Sequence, residues 1–327
     1  MSTIGTNVTL MDVARRLDPN GKVDKIVEIL AEKNEMLEDM VWKEGNLPTG
    51  NQVTIRTGQP SGSWRKLNYG VAQEKSTTQQ VVDTCGMLES YSEVDVEVAM
   101  LNGNTAEWRM SEDKAFIAGM SQNLASTLIY GDTDLYPERF LGFTPRFDDA
   151  SAGNAANIIE GDGAASANTS VWLVGWGDDS VYGIYPKGSK AGLQAKDLGE
   201  DTAVDSGLMH QVLRSHYQWK CGLTVKNWKY IVRICNIDVN NLTKNGSTGS
   251  DLIDLMTQAC EQIEDLTSVR PAFYCNRTVR SYLRRQISNR ANVNLSFDTV
   301  SGKRVMMFDE VPVRRTDKIV ITESTVS

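Results

Sequence analysis

An α+β fold is what this sequence predicts, and three observations predict it. A single long amphipathic helix over 111–130 stands among segments that alternate or break every few residues. The run 91–100 alternates strictly, with Tyr91, Glu93, Asp95 and Glu97 on one face and Val94, Val96, Val98 and Met100 on the other. That is the period of a strand with one face in a core. The last quarter then mixes helix and strand, an order that argues α+β.

At 327 residues the chain is long enough for two packed lobes. Its formal net charge of -8, from 34 basic and 42 acidic residues, argues against a protein held to nucleic acid by a general basic field. Cys85, Cys221, Cys235, Cys260 and Cys275 are widely spaced and contain no CxxC, so they read as reduced, mostly buried thiols. No leader pattern opens the chain and no stretch approaches the ~20 apolar residues of a membrane span, so a soluble protein made in a cytoplasm is expected.

Taken in order, 9–17 predicts a short helix with Thr9 and Asp12 at capping-box spacing, and Asp18–Gly21 a turn. A second helix is expected from Val23 to about Met40, with Ile26, Leu30, Lys33 and Leu37 on one face; it is thin on core residues and calls for something to pack against. Turn residues crowd 48–76 around two strand-like segments, Gln52–Thr57 and Trp64–Tyr69, predicting a projecting hairpin. Trp64 and Tyr69 have little local core there and are candidates for contact with a neighbour.

The strand 81–100 leads to the long helix, with Ser111 as N-cap, Phe116, Ile117, Met120, Leu124 and Leu128 as its apolar stripe, and Gly131 as a left-handed C-cap. The Asp-, Ala-, Gly- and Asn-rich segment after Pro145 predicts a surface excursion or an interdomain crossing. A hairpin is expected from Ser170–Gly177 and Ser180–Tyr185, and sheet from two runs within 209–238. Thr248 or Ser250 would cap a helix to Leu266, Pro271–Cys275 a short strand, and Asn276 would cap a helix carrying Val279, Leu283 and Ile287. A hairpin around Ser301-Gly302 and an extended tail close the chain.

Chemistry is sparse. No phosphate loop, HExxH or nucleophile elbow occurs, and His210 and His216 are the only histidines. Six apart on one strand, they lie roughly 20 Å from end to end and cannot share a metal. The carboxylates of 93–97 spread along a strand read as a solvated or salt-bridged face rather than a calcium site. Asp148-Asp149 and Asp178-Asp179 sit in turn-rich sequence, where Asp bonds backbone. Arg277, Arg280 and Arg284 stack on one helix face, with Arg285 and Arg290 nearby; pairing with carboxylates, within the chain or across subunits, is favoured over nucleic acid in so acidic a protein.

One stretch is specific. KAFIAGMSQNLASTLIYGDTDLYPERFLGFTPRF resembles the signature region of major capsid proteins from short-tailed bacteriophages: a helix ending in Tyr130-Gly131, an acidic turn, then Pro137, Glu138, Phe140 and Gly142. LMDVARRLDPNG, RPAFYCNRTVRSYL and FDEVPVRRTDKI extend the resemblance more weakly along the whole length. It implies the Hong Kong ninety-seven phage type of capsid fold, divided into an N-terminal arm with a helical pair (1–47), an E-loop hairpin (48–76), a peripheral domain with spine helix 111–130 (77–147), and an axial-domain-like α+β region (148–327).

The resemblance implies a major capsid protein that self-assembles into hexamers and pentamers of an icosahedral virion shell around double-stranded DNA, put together in the host cytoplasm. Its partners would be itself, a scaffold, a portal and a cement or decoration protein, and packaged DNA without sequence-specific binding or any membrane. No catalytic residue, metal or cofactor is implied, and Trp64, Lys66, Tyr69, Arg277, Arg280 and Arg284 become candidate intersubunit contacts. Lys66 lies where an E-loop lysine would be, but no motif identifies an asparagine to crosslink with it. The rivals are a cytoplasmic α+β enzyme, which would gather a histidine with an acid or thiol in a pocket, and another virion component such as a portal.

Overall fold

The computed structural model describes residues 32, 34–100, 105–163, 167–205, 207–243, 249–289, 295–300 and 303–326. The first half runs α1 (Met36–Asp39), β1 (Trp42–Glu44), β2 (Gly50–Gly58), β3 (Thr77–Asp95), α2 (Val96–Met100) and α3 (Thr105–Tyr130). The second half runs β4 (Ile158–Glu160), β5 (Asn168–Trp176), β6 (Val181–Tyr185), β7 (Leu193–Asp205), β8 (Leu208–Val225), β9 (Ile231–Asp238), α4 (Leu252–Gln262), β10 (Arg270–Cys275), α5 (Arg277–Asn289), β11 (Leu295–Val300), β12 (Lys303–Phe308) and β13 (Val311–Arg315). Mostly sheet with few helices, the chain is α+β as expected.

Strand β5 is the centre. It pairs antiparallel with β9 on one edge and β10 on the other, and β10 continues into β13, β12 and β11. All nine residues of β5 are buried because both faces are covered. Alternation assigns them to two cores. Val171 and Leu173 join Phe273, Met256, Val279 and Leu283 beneath α4 and α5. Trp172, Val174 and Trp176 point the other way, to Leu124, Leu128 and Ile129 of α3 and to Phe140, Phe143 and Phe147 after it. Side chains of this size each contribute roughly 1.5–3 kcal/mol when fully buried, so the two layers hold the sheet from both sides.

The second sheet region is built on β3. Its first residues pair with β2, and from Cys85 onward it pairs with β8, whose outer edge carries β7. The 13-residue β7 was not expected, since LQAKDLGEDTAVD has little β propensity. Pairing along β8 overrides that preference, and Gly207, at φ 82°, makes the turn between them.

Several expectations are corrected. Helix α3 begins at Thr105, so Ser111 lies inside it rather than at its cap. Its stripe is buried from Met120 onward, whereas Phe116 is half-buried and Ile117 exposed, because the amino-terminal half runs past the main core. Trp108 anchors that half against Val94 and Ala99. The chain becomes helical after Asp95, whose carboxylate accepts from the Glu97 amide at 2.8 Å, so the strand alternation holds to Asp95 and stops.

In the arm, β2 pairs with Thr77–Thr84; Trp64–Tyr69 forms no strand and lies in the connection. Strands β5 and β6 touch at one residue pair, Trp176 with Val181, instead of forming a hairpin. Their edges are already taken by β9 and β10, and by β8 and β1. The expected excursion after Pro145 inserts β4 parallel to β9, and Asn157 is buried there, donating to the Ile231 carbonyl at 2.8 Å.

Asp251 caps α4, and the helix ends at Gln262; Asn276 caps the next helix through the Thr278 amide, as expected. The helix expected at 9–17 and most of that expected at 23–40 lie outside the described residues. Of the latter, Met36 and Met40 are buried against the Trp172 face.

Candidate assembly surfaces

The segment between β2 and β3 buries almost nothing on its own chain. Trp64 is 104% exposed, and Leu67, Tyr69 and Val71 are exposed with it. Its shape comes from local bonds. The Tyr69 amide donates to the Lys66 carbonyl at 3.2 Å, Asn68 takes φ 66°, Arg65 Nε donates to the Tyr69 carbonyl at 2.9 Å, and Glu74 accepts from the Gly62 amide at 2.9 Å. An arm so built offers an apolar, aromatic tip to whatever approaches it.

The signature motif does something more definite. At the end of α3 the last carbonyls lack helical partners, and the strap 132–143 returns to supply them: the Phe143 amide donates to Leu128 O at 3.0 Å and the Gly142 amide to Gly131 O at 2.7 Å. The return is tight. A Cβ on Gly142 would lie 2.7 Å from Thr127 O and 2.9 Å from Leu128 O, and one on Gly131 would lie 2.4 Å from the carbonyls of Thr127 and Phe140. Gly131 is not left-handed, so the expected cap conformation is corrected: close backbone approach is what requires glycine there. Phe140 is buried in the adjoining core, while Pro137 and Glu138 stay exposed at the turn.

Tyr130 ties this helix end to the chain terminus. Its hydroxyl donates to Glu323 Oε1 at 2.5 Å and accepts from the Val320 amide at 3.0 Å. Burial, reinforced by the Glu323 charge, pushes the phenol far above its ordinary range. Glu323 also accepts from Ser170 and pairs with Arg233 at 2.9 Å, and Arg233 donates to Phe147 O at 2.8 Å over the Trp172 ring. Sequence reading missed this buried network. A lone Arg in the apolar run IVRICNI was the available signal, because an arginine buried in a sheet demands a carboxylate.

The arginines of α5 differ in their surroundings. Arg277 reaches Asp317 at 3.4 Å, Arg280 is half-buried near the Cys275 thiol, and Arg284 is exposed. Arg285 lies over the Tyr282 ring, and Arg290 is outside the described residues.

Several other ionisable groups are engaged in structure. His216 stacks on Tyr91 with ring centres 4.5 Å apart, and its Nε2 is 3.5 Å from Glu89. Glu93 and Asp201 pair with Arg214. Asp149 takes the Ser151 amide and hydroxyl, which hold its carboxyl below the usual range, and Asp178 and Asp179 pair with Lys43 and Lys226. Among the described residues no three His, Cys, Asp or Glu side chains converge as a metal site would require, and no helix is long and apolar enough to cross a membrane. A second exposed apolar tip escaped sequence reading: Val204, Leu208 and Met209 at the β7–β8 turn.

Residues 18–327 match the sequence family described as major capsid protein GP7. No curated protein matches. A chain in the cryo-EM structure of bacteriophage Epsilon15 is 35% identical and superimposes with a TM-score of 0.82, the match covering 100% of this chain and 99% of that one. Weaker likenesses are to the bacteriophage JBD30 capsid (11% identity, TM-score 0.49, covering 90% and 95%) and to the holo-SrpI encapsulin complex of Synechococcus elongatus (12%, 0.44, covering 71% and 97%).

Proposed function

The chain belongs to the major capsid protein GP7 family, and from that premise we propose that it closes, as hexamers and pentamers, into an icosahedral shell around double-stranded DNA. The observation that carries this beyond family membership is the arm. An amphipathic segment whose tryptophan is wholly exposed has no partner on its own chain, and burial by a neighbour is what removes that apolar surface from water.

The proposal assigns 1–47 to an N-terminal arm, 48–76 to an E-loop, 77–147 to a peripheral domain whose spine is α3, and 148–327 to an axial region. It supports this division that the arm residues stand off the body and that α4 and α5 enclose a core separate from that of α3. We assign no catalytic step to the chain. His216, Asp149, Asp178 and Asp179 are engaged in stacking, a turn and ion pairs, which favours the shell over the enzyme. Assembly in the host cytoplasm, a scaffold, a portal and a cement protein complete the proposal. Electron microscopy of the purified protein, expressed alone and with a candidate scaffold, tests it. Closed particles of uniform size are expected; a strictly monomeric protein under both conditions would overturn it.

A further inference from the structure

We infer that Trp64 of one copy docks in the cleft between α3 and the strap of a second copy. The inference rests on 59–76 being an arm that reaches a neighbour, and adds where it lands. The cleft has a volume of about 230 Å³, and Met87, Leu88, Leu124 and Phe140 line it with Asn123, Glu138 and Arg139. Its size suits one large side chain rather than a free metabolite. Its character suits an indole, which needs apolar contact for its rings and an acceptor for its single N–H. The carboxylate of Glu138 and the amide oxygen of Asn123 are acceptors of that kind.

Charge points to the same pairing. Trp64 is followed directly by Arg65 and Lys66, while the strap carries Asp132, Asp134 and Glu138, the last of which lines the cleft. The strap's one cation, Arg139, is held over the Tyr136 ring at 4.4 Å, and no ion pair engages Glu138 among the described residues. An aromatic anchor followed by two cations thus meets a largely apolar slot beside a strap of net negative charge, a complementarity that steers the two together and fixes register. The occupant is a second copy because a chain's own arm leaves β3 at Thr77 and its own cleft lies at Met87, about 33 Å along a regular strand. Trp64 is fully exposed in its own chain.

Replacing Trp64 by the photoreactive aromatic benzoylphenylalanine, irradiating assembled particles and mapping the adducts by mass spectrometry tests this. Adducts between subunits are expected on peptides containing Met87–Leu88, Asn123–Leu124 or Glu138–Phe140. Adducts confined elsewhere, such as the Leu208–Met209 tip, or none between subunits, overturn the assignment. Should that variant fail to form particles, charge reversal decides: Glu138→Lys is expected to reduce closed particles and Lys66→Glu in the same chain to restore them, and no restoration counts against the cleft. A chain lacking 61–71 that still closes normal shells would instead refute the arm itself.

Discussion

The Gly142 amide donates to the Gly131 carbonyl at 2.7 Å, and neither residue has room for a side chain. Two glycines eleven residues apart therefore act as one device, letting the strap lie against the open end of α3. Gly131→Ala and Gly142→Ala are each expected to cost about 1–3 kcal/mol by forcing backbone apart. Gly119, in the same helix with nothing within 4 Å of its Cβ direction, should respond oppositely, Gly119→Ala stabilising by about 0.5–1 kcal/mol. Thermal melts of the three variants check both signs; equal effects at all three sites would contradict the contact argument.

Arg233 and Glu323 form the second relationship to test. Both side chains are almost wholly buried, at 2% and 5% exposure. Arg233→Met leaves a carboxylate without its cation and should cost about 3–5 kcal/mol. Arg233→Met with Glu323→Leu should cost clearly less than the two single changes summed. Denaturant titration of the four proteins gives the coupling, and strict additivity would refute a shared buried pair.

Alkaline pH should weaken the protein through its thiols. Burial pushes Cys85 and Cys235 up to about 11, and Cys221, Cys260 and Cys275 up to about 12, from an ordinary 9.0. The folded values lie above the unfolded one, so this contribution to stability is complete below about pH 9 and is lost as pH rises from there to the folded values. A wholly buried thiol such as Cys275 can steepen that fall by up to about 1.4 kcal/mol per pH unit. The urea midpoint should therefore drop between about pH 8 and 10.5, and less so in Cys275→Ala compared at each pH with its own value at pH 8. A thiol reagent at about pH 8 should label Cys221 and Cys275 only after unfolding.

Charge reversal on α5 should separate assembly from folding. Arg284 is exposed, so Arg284→Glu is expected to leave circular dichroism and melting unchanged, within about 0.5 kcal/mol, while lowering particle yield. Arg280 is half-buried against the Cys275 region, so Arg280→Glu should also destabilise the subunit. Normal particle yield from Arg284→Glu would remove that residue from the interface.

What could be read in advance followed local physics. The helix to Tyr130, the strand before Asp95, the Asn276 cap and the two runs of 209–238 all declared themselves by period or capping chemistry. Long-range pairing did not. Strand β7 exists because β8 offers an edge, β4 because β9 does, and Trp64–Tyr69 looks strand-like yet finds no partner. The motif was legible as a resemblance, but its reason was not: the shared backbone approach at Gly131 and Gly142 appears only when the helix end and strap are seen together.

Because β5 supplies side chains alternately to both packed layers, the molecule has a party wall rather than a hinge at its middle. Pulling either half away must strip the same strand. The two halves are therefore expected to open together in native-state hydrogen exchange, with the amides of Val171–Val174 among the last to exchange, and a subunit strained by its neighbours would yield at its arm and hairpin tips well before it yields here.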